Sequence, residues 1–237
     1  MGGRGSNSLS GTGAGGSSTA SGTATNWGGA PDRRDDIQNL FVDRLGFKEV
    51  TGTNRIDTAV LGAYGNALAD LEREYGAIAA SDSLSFTTFN GTATAAVRYD
   101  IMHPERQTMG INAAKMGSMS SYLGTQRESA ASGWHARTDG RITSEAAYSI
   151  THEYGHMLSN ALAARSGVSA DVFGVRAQRE IGEIARTKYG AARGSSPSRY
   201  GRTNSAEFFA EAFASARLGA PNAYGKAMND WLETHRL

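Results

Sequence analysis

His152 and His156 stand four residues apart, with Glu153 directly after the first, in the run Thr151-His152-Glu153-Tyr154-Gly155-His156-Met157. On an α-helix, positions i and i+4 lie one turn apart on the same face, so two neutral imidazoles can point ring nitrogens at one ion. The ion that this H-E-x-x-H pattern suits is Zn2+. Glu153 falls about 100° further round the helix. From there it is not a ligand, but it can lean over the ion's open position and take a proton from water. The pattern thus supplies a metal site and a base together. The chain has no cysteine, so any metal must be held by histidines and carboxylates.

Catalytic zinc takes three protein ligands and leaves a fourth position open. The extended pattern H-E-x-x-H-x-x-G-x-x-H fails here, because the chain has Ser159 and Leu162 where glycine and histidine are required. No later histidine occurs until His235, so the third ligand is expected to be a carboxylate, with Glu207 and Glu211 as candidates. They stand at i and i+4 on a helix that Asn204 can cap, interleaved with Phe208, Phe209 and Phe213. Glu207 can be read simply as the capping-box partner of Asn204, and Glu211 as a solvated position. Against that, a carboxylate among phenylalanines on a docking helix is costly unless it is bound or paired.

His-Glu-Tyr-Gly-His at 152 to 156, Tyr200 seven positions before Glu207, and the run Glu207-Phe-Phe-Ala-Glu211-Ala-Phe together resemble the zinc metallopeptidase domain of anthrax lethal factor and its bacteriophage and toxin relatives. These are gluzincins, and the resemblance covers about 75 residues of the second half of the chain. It implies His152, His156 and Glu207 as zinc ligands, Glu153 as general base, and Tyr200 as the group that stabilises the oxyanion. It also implies that Glu211 orients a metal-bound imidazole from behind. The expected fold class is α+β, a zincin-like domain with a small antiparallel or mixed sheet, then the active-site helix, then a C-terminal helical part. The expected activity is zinc-dependent endopeptidase cleavage of a peptide or protein, in a phage-encoded enzyme. The other readings are a toxin-type protease acting on a host protein and a virion structural or binding module that keeps the fold without turnover.

The elements that must position these residues can be drawn from periodicity. Ala147, Ile150, Met157, Leu158, Ala161 and Leu162 predict the histidine-bearing helix over about 144 to 166, capped by Thr143 or Ser144 and ended at Gly167. Upstream, Ile56, Val60, Ala63, Ala67, Leu71, Tyr75 and Ile78 predict a helix from an Asn54 cap to about Ala79. Three strands are expected, at 83 to 89, 92 to 101 and 107 to 114, as an antiparallel sheet whose last strand offers an edge to substrate. Residues 115 to 142 read as a long Ser- and Gly-rich connection. Within it Trp134-His135 is expected to be an aromatic holding the loop beside an exposed histidine, or else part of a substrate subsite. His103 and His235 are expected to be plain surface positions. Helices at about 171 to 189 and 222 to 235 flank the Glu207 helix, which follows a loop carrying Pro197.

At 237 residues with net charge +1, the chain suits one catalytic domain over 31 to 237. No Lys/Arg block marks a nucleic-acid or membrane surface, which leaves a peptide or protein as the expected partner. Residues 1 to 30 are mostly Gly, Ser, Thr and Ala and read as a disordered tail without the apolar core of a signal peptide. No run of about 18 apolar residues occurs either, so a cytoplasmic or virion-associated location is expected, and the opening Met-Gly-Gly-Arg-Gly-Ser resembles the start of some phage head-associated proteins. The context after Met1 does not favour myristoylation.

Overall fold

The computed structural model describes residues 33–75, 81–90, 93–100, 102–103 and 106–235. The expected tail, residues 1 to 30, and Met1 lie outside them. The described residues form an α+β structure of seven α-helices and a four-stranded mixed sheet. In chain order these are α1 (Arg34–Asn39), β1 (Glu49–Thr51), α2 (Thr58–Tyr75), β2 (Ser81–Thr87), β3 (Ala95–Tyr99), β4 (Gln107–Asn112), α3 (Met119–Ala131), α4 (Ile142–Arg165), α5 (Ala170–Tyr189), α6 (Ser205–Arg217) and α7 (Ala223–Thr234). None of the helices among the described residues is long and apolar enough to cross a membrane.

The sheet order is β1-β2-β4-β3, with β1, β2 and β4 parallel and β3 antiparallel to β4. Two sequence expectations are corrected here. The sheet is mixed, as one of the two expected forms had it, but the antiparallel pairing expected of its strands fails for β1, β2 and β4, because α2 carries the chain from β1 back to a parallel β2. The strand at 107 to 112 is interior rather than an edge, so the edge strands are β1 and β3. Strand β1, three residues long, is too short to show any periodicity.

Leu84, Phe86, Met109 and Ile111 from the sheet join Val60, Leu61, Tyr64 and Leu68 of α2 and Ile150, Met157 and Leu158 of α4 in one apolar core. A buried polar contact ties the sheet to α4: the Gln107 amide donates to the Met157 carbonyl at 3.0 Å and accepts from Asn160 at 2.9 Å. Both side chains are thereby satisfied in a place where a lone amide would cost stability.

The helix boundaries also differ in places. Residues Thr53–Arg55 form a 3-10 turn, and α2 starts at Thr58, where Asp57 accepts from the Ala59 amide at 2.8 Å; Asn54 is not the cap. Neither Thr143 nor Ser144 caps α4, which begins at Ile142 after Arg141. The expected connection at 115 to 142 contains α3, capped by Ser118 and buried only at Tyr122, Leu123 and Gln126. So narrow an apolar stripe on a Ser-rich segment hides the helical period. The helix ends at Gly167 and Gly190 fall where expected, both glycines at positive φ.

Candidate metal centre

Helix α4 carries Tyr148, His152 and His156 at successive four-residue steps, so the three rings form one row along its face. Helix α6 packs along α4 more extensively than any other pair of elements among the described residues. Gly155 makes this possible: a Cβ there would lie 3.0 Å from the Ala210 Cα and 3.3 Å from Phe213. The second variable position of H-E-Y-G-H is therefore glycine because another backbone passes there. Asn204 caps α6 by accepting from the Glu207 amide at 2.9 Å, which leaves the Glu207 side chain to reach the histidines.

Three atoms converge. His152 Nε2 lies 3.1 Å from Glu207 Oε2, His156 Nε2 lies 3.2 Å from the same oxygen, and the two nitrogens are 3.2 Å apart. Among the described residues these three form the group able to hold a metal ion. Donor atoms at ~2.0–2.1 Å from a tetrahedral zinc stand about 3.3 Å from one another, so the triangle has the size that zinc requires. Its chemistry also fits, since two imidazoles and a carboxylate form a common catalytic zinc set.

The two glutamates share His152. Glu211, fully buried, sets Oε1 at 2.9 Å from His152 Nδ1, the nitrogen turned away from the triangle. It also accepts from the Tyr148 hydroxyl at 2.7 Å and from the Ala136 amide at 2.8 Å. A carboxylate behind an imidazole fixes its tautomer and its orientation. Burial pushes the pKa of His152 down, but Glu207 and Glu211 outweigh it and carry the group up to about 10. Burial likewise works against the charged form of Glu207, yet His152 and His156 hold its carboxyl well below the usual carboxylate range.

Glu153 is buried beside the triangle, and burial pushes its carboxyl up. Its Oε2 has no hydrogen-bond partner, an exposed need inside the protein that a reacting water would meet. Tyr200 lies on the Tyr200–Arg202 3-10 turn and donates to Glu207 Oε1 at 2.9 Å. Burial and Glu207 both raise its pKa, so the hydroxyl stays a donor at neutral pH. Its ring stacks between His152 at 5.7 Å and Trp134 at 5.3 Å.

The triangle opens on a cleft of about 420 Å³. Trp134 and His135 both line it. His135 is not exposed as expected but stacks on Tyr148 at 4.0 Å, donating from Nδ1 to the Ala136 carbonyl. His103 lies on the exposed turn after β3, and His235 stacks on Trp231, both away from this cleft. The structure thus gathers every expected site residue in one place. Spacing did not reveal Tyr148 and Ala136 as partners of Glu211, although Tyr148 sits one turn before His152 on the same helix face. A larger hollow, about 770 Å³, lies between α2, α4, α6 and α7. No histidine borders it, and Arg217 there is already paired with Glu74 and Asn229.

Comparison with protein-family models, curated proteins and solved structures finds no match to this chain.

Proposed function

We propose that the protein is a zinc-dependent endopeptidase of the gluzincin type, with a zincin-like arrangement related to that of the lethal factor domain. The observation that carries this reading is the closed triangle of His152, His156 and Glu207 with the buried Glu153 beside it, whose Oε2 has no hydrogen-bond partner. His152, His156 and Glu207 would hold the metal. Zinc so bound lowers the pKa of a water toward about 7 and polarises a carbonyl.

The chain's own residues account for the rest. Glu153 takes the proton of the attacking water and delivers it to the leaving amine, a role that its burial-raised pKa suits. The Tyr200 hydroxyl donates to the oxyanion as it develops. Glu211 keeps His152 turned toward the triangle. The free edge of β3 borders the cleft at Ala95 and is available to an extended peptide, in place of the 107 to 114 strand. A binding module without turnover has no use for a buried carboxylate with a free oxygen at that point.

The direct test of the site is metal content. Elemental analysis should give one zinc per wild-type chain and almost none in His152→Ala or His156→Ala. Full zinc occupancy in both variants would remove the site.

A further inference from the structure

The turn that carries Tyr200 also carries unanswered charge. Tyr200–Arg202 is a 3-10 turn, in which the Arg202 amide donates to the Arg199 carbonyl at 3.3 Å. Residues three apart eclipse in such a turn, so Arg199 and Arg202 share one side of it while the Tyr200 hydroxyl reaches in to Glu207. The turn is laced to the segment that follows α3: the Arg199 amide donates to the Gly133 carbonyl at 2.9 Å, and the Tyr200 amide to the Trp134 carbonyl at 2.8 Å. Trp134, 44% exposed, stacks on Tyr200 at the edge of the cleft that both line. Arg137 follows three residues on.

Among the described residues, Arg137, Arg199 and Arg202 are exposed, and their guanidinium groups make no hydrogen bond or ion pair. By contrast Arg127, Arg176, Arg186 and Arg217 each sit on a carboxylate. The two stretches hold no acid of their own: 133 to 138 has Arg137, and 190 to 206 has Arg193, Arg199 and Arg202. The next acids along the chain, Asp139 and Glu207, are engaged by Arg141 and by the two histidines. A guanidinium is a planar fork of donors that matches a carboxylate, so two of them beside an exposed indole suit a short acidic run with an apolar neighbour. A nucleic-acid strand would want several rings for successive bases to stack on. Trp134 is the one exposed large aromatic of these stretches.

Resting on the peptidase reading, we infer that the lip formed by Trp134, Arg199 and Arg202, with Arg137 beside it, is a docking site for an acidic segment of the protein substrate. The segment lies outside the cleft, on one side of the scissile bond. These arginines select the substrate and take no part in the hydrolysis.

The test starts from a short neutral peptide that the zinc-loaded wild type cuts, extended on either side by about eight residues of Glu/Ser, Gln/Ser or Lys/Ser, enough to reach roughly 25 Å further. On one side Glu/Ser should raise kcat/KM about tenfold over Gln/Ser, through KM, as a few exposed ion pairs together provide. The advantage should vanish at about 1 M salt, where screening acts beyond about 3 Å. Arg199→Glu combined with Arg202→Glu should abolish it and favour Lys/Ser, while zinc content, melting temperature and cleavage of the unextended peptide stay as in the wild type. Should that protein fail to fold, Arg202→Gln should fold and lose part of the advantage. Wild-type indifference to the extensions, or an unchanged preference in the arginine variants, overturns the docking site and leaves the peptidase reading standing. Binding is read separately, by fluorescence anisotropy of a labelled Glu/Ser peptide on zinc-loaded Glu153→Gln. A single-stranded oligonucleotide of equal charge that binds there more tightly overturns the acidic-protein partner in favour of nucleic acid. Binding of the Glu/Ser peptide that is lost with the two arginines, without cleavage of any peptide by the wild type, overturns the peptidase reading and leaves the docking site.

Discussion

The two glutamates of α6 are one helical turn apart and do different things. Glu207 closes the triangle, whereas Glu211 stands behind it, with Oε1 2.9 Å from His152 Nδ1, and accepts from the Tyr148 hydroxyl and the Ala136 amide. Glu207→Ala should therefore lose more zinc affinity than Glu211→Ala, which is expected to lose about 10- to 100-fold. Melting temperatures should rank the other way. Glu211→Ala strands buried donors at a cost of about 3 kcal/mol. Isothermal titration and thermal melts of the two variants check this; identical behaviour in both would mean that the assignment is wrong. Tyr200→Phe, assayed at saturating zinc, should lower kcat about 100- to 1,000-fold with little change in KM, since the hydroxyl acts on charge that develops in the transition state. Its bond to Glu207 adds a smaller loss of metal affinity. The histidines and Glu153 were legible in the sequence because one helix sets their spacing. Glu207 and Glu211 could not be told apart by spacing, because which carboxylate faces the histidines depends on how two helices dock.

That docking is an element-scale property and rests on Gly155. A methyl group at this position meets the Ala210 backbone at 3.0 Å, and a backbone cannot swing aside as a side-chain tip can. Gly155→Ala should cost about 1–3 kcal/mol by overpacking, and it should weaken zinc binding by moving α6 and its glutamates away from α4. Gly124, inside α3 with nothing within 4 Å of a Cβ, is the control: Gly124→Ala should stabilise by up to about 1 kcal/mol through helix propensity. Denaturant melts with zinc titration measure both, and undiminished zinc affinity in Gly155→Ala would refute the close-approach argument. The sequence shows long helices with wide apolar stripes, such as α2 and α5, because burial repeats with the helical period. It conceals α3, whose buried face includes Gln126, and β1, which is three residues long. It also conceals strand order, since the pairing of β2 with β4 is decided by crossovers and by a core that no local run encodes.

Across the whole molecule, the triangle of His152, His156 and Glu207 joins α4 to α6, and α4 is in turn pinned to the sheet through Gln107 and Asn160. Zinc that binds only the folded chain should therefore stabilise all of it. At a zinc concentration about 1,000 times Kd the gain is about 4 kcal/mol. For a domain of this size that raises Tm by roughly 10 °C. Calorimetry with and without a chelator measures the shift, and an unchanged Tm would show that zinc does not bridge the helices. The central claim is that this centre hydrolyses peptides with Glu153 as its base. It is tested most directly by peptide cleavage with zinc-loaded wild type beside zinc-loaded Glu153→Gln, which keeps the side chain's size and all three ligands. The account predicts zinc-dependent cleavage by the wild type, and a loss of about 100- to 10,000-fold in kcat for the variant at equal zinc content. Equal turnover by the two proteins, or none by the wild type with its zinc in place, would contradict it.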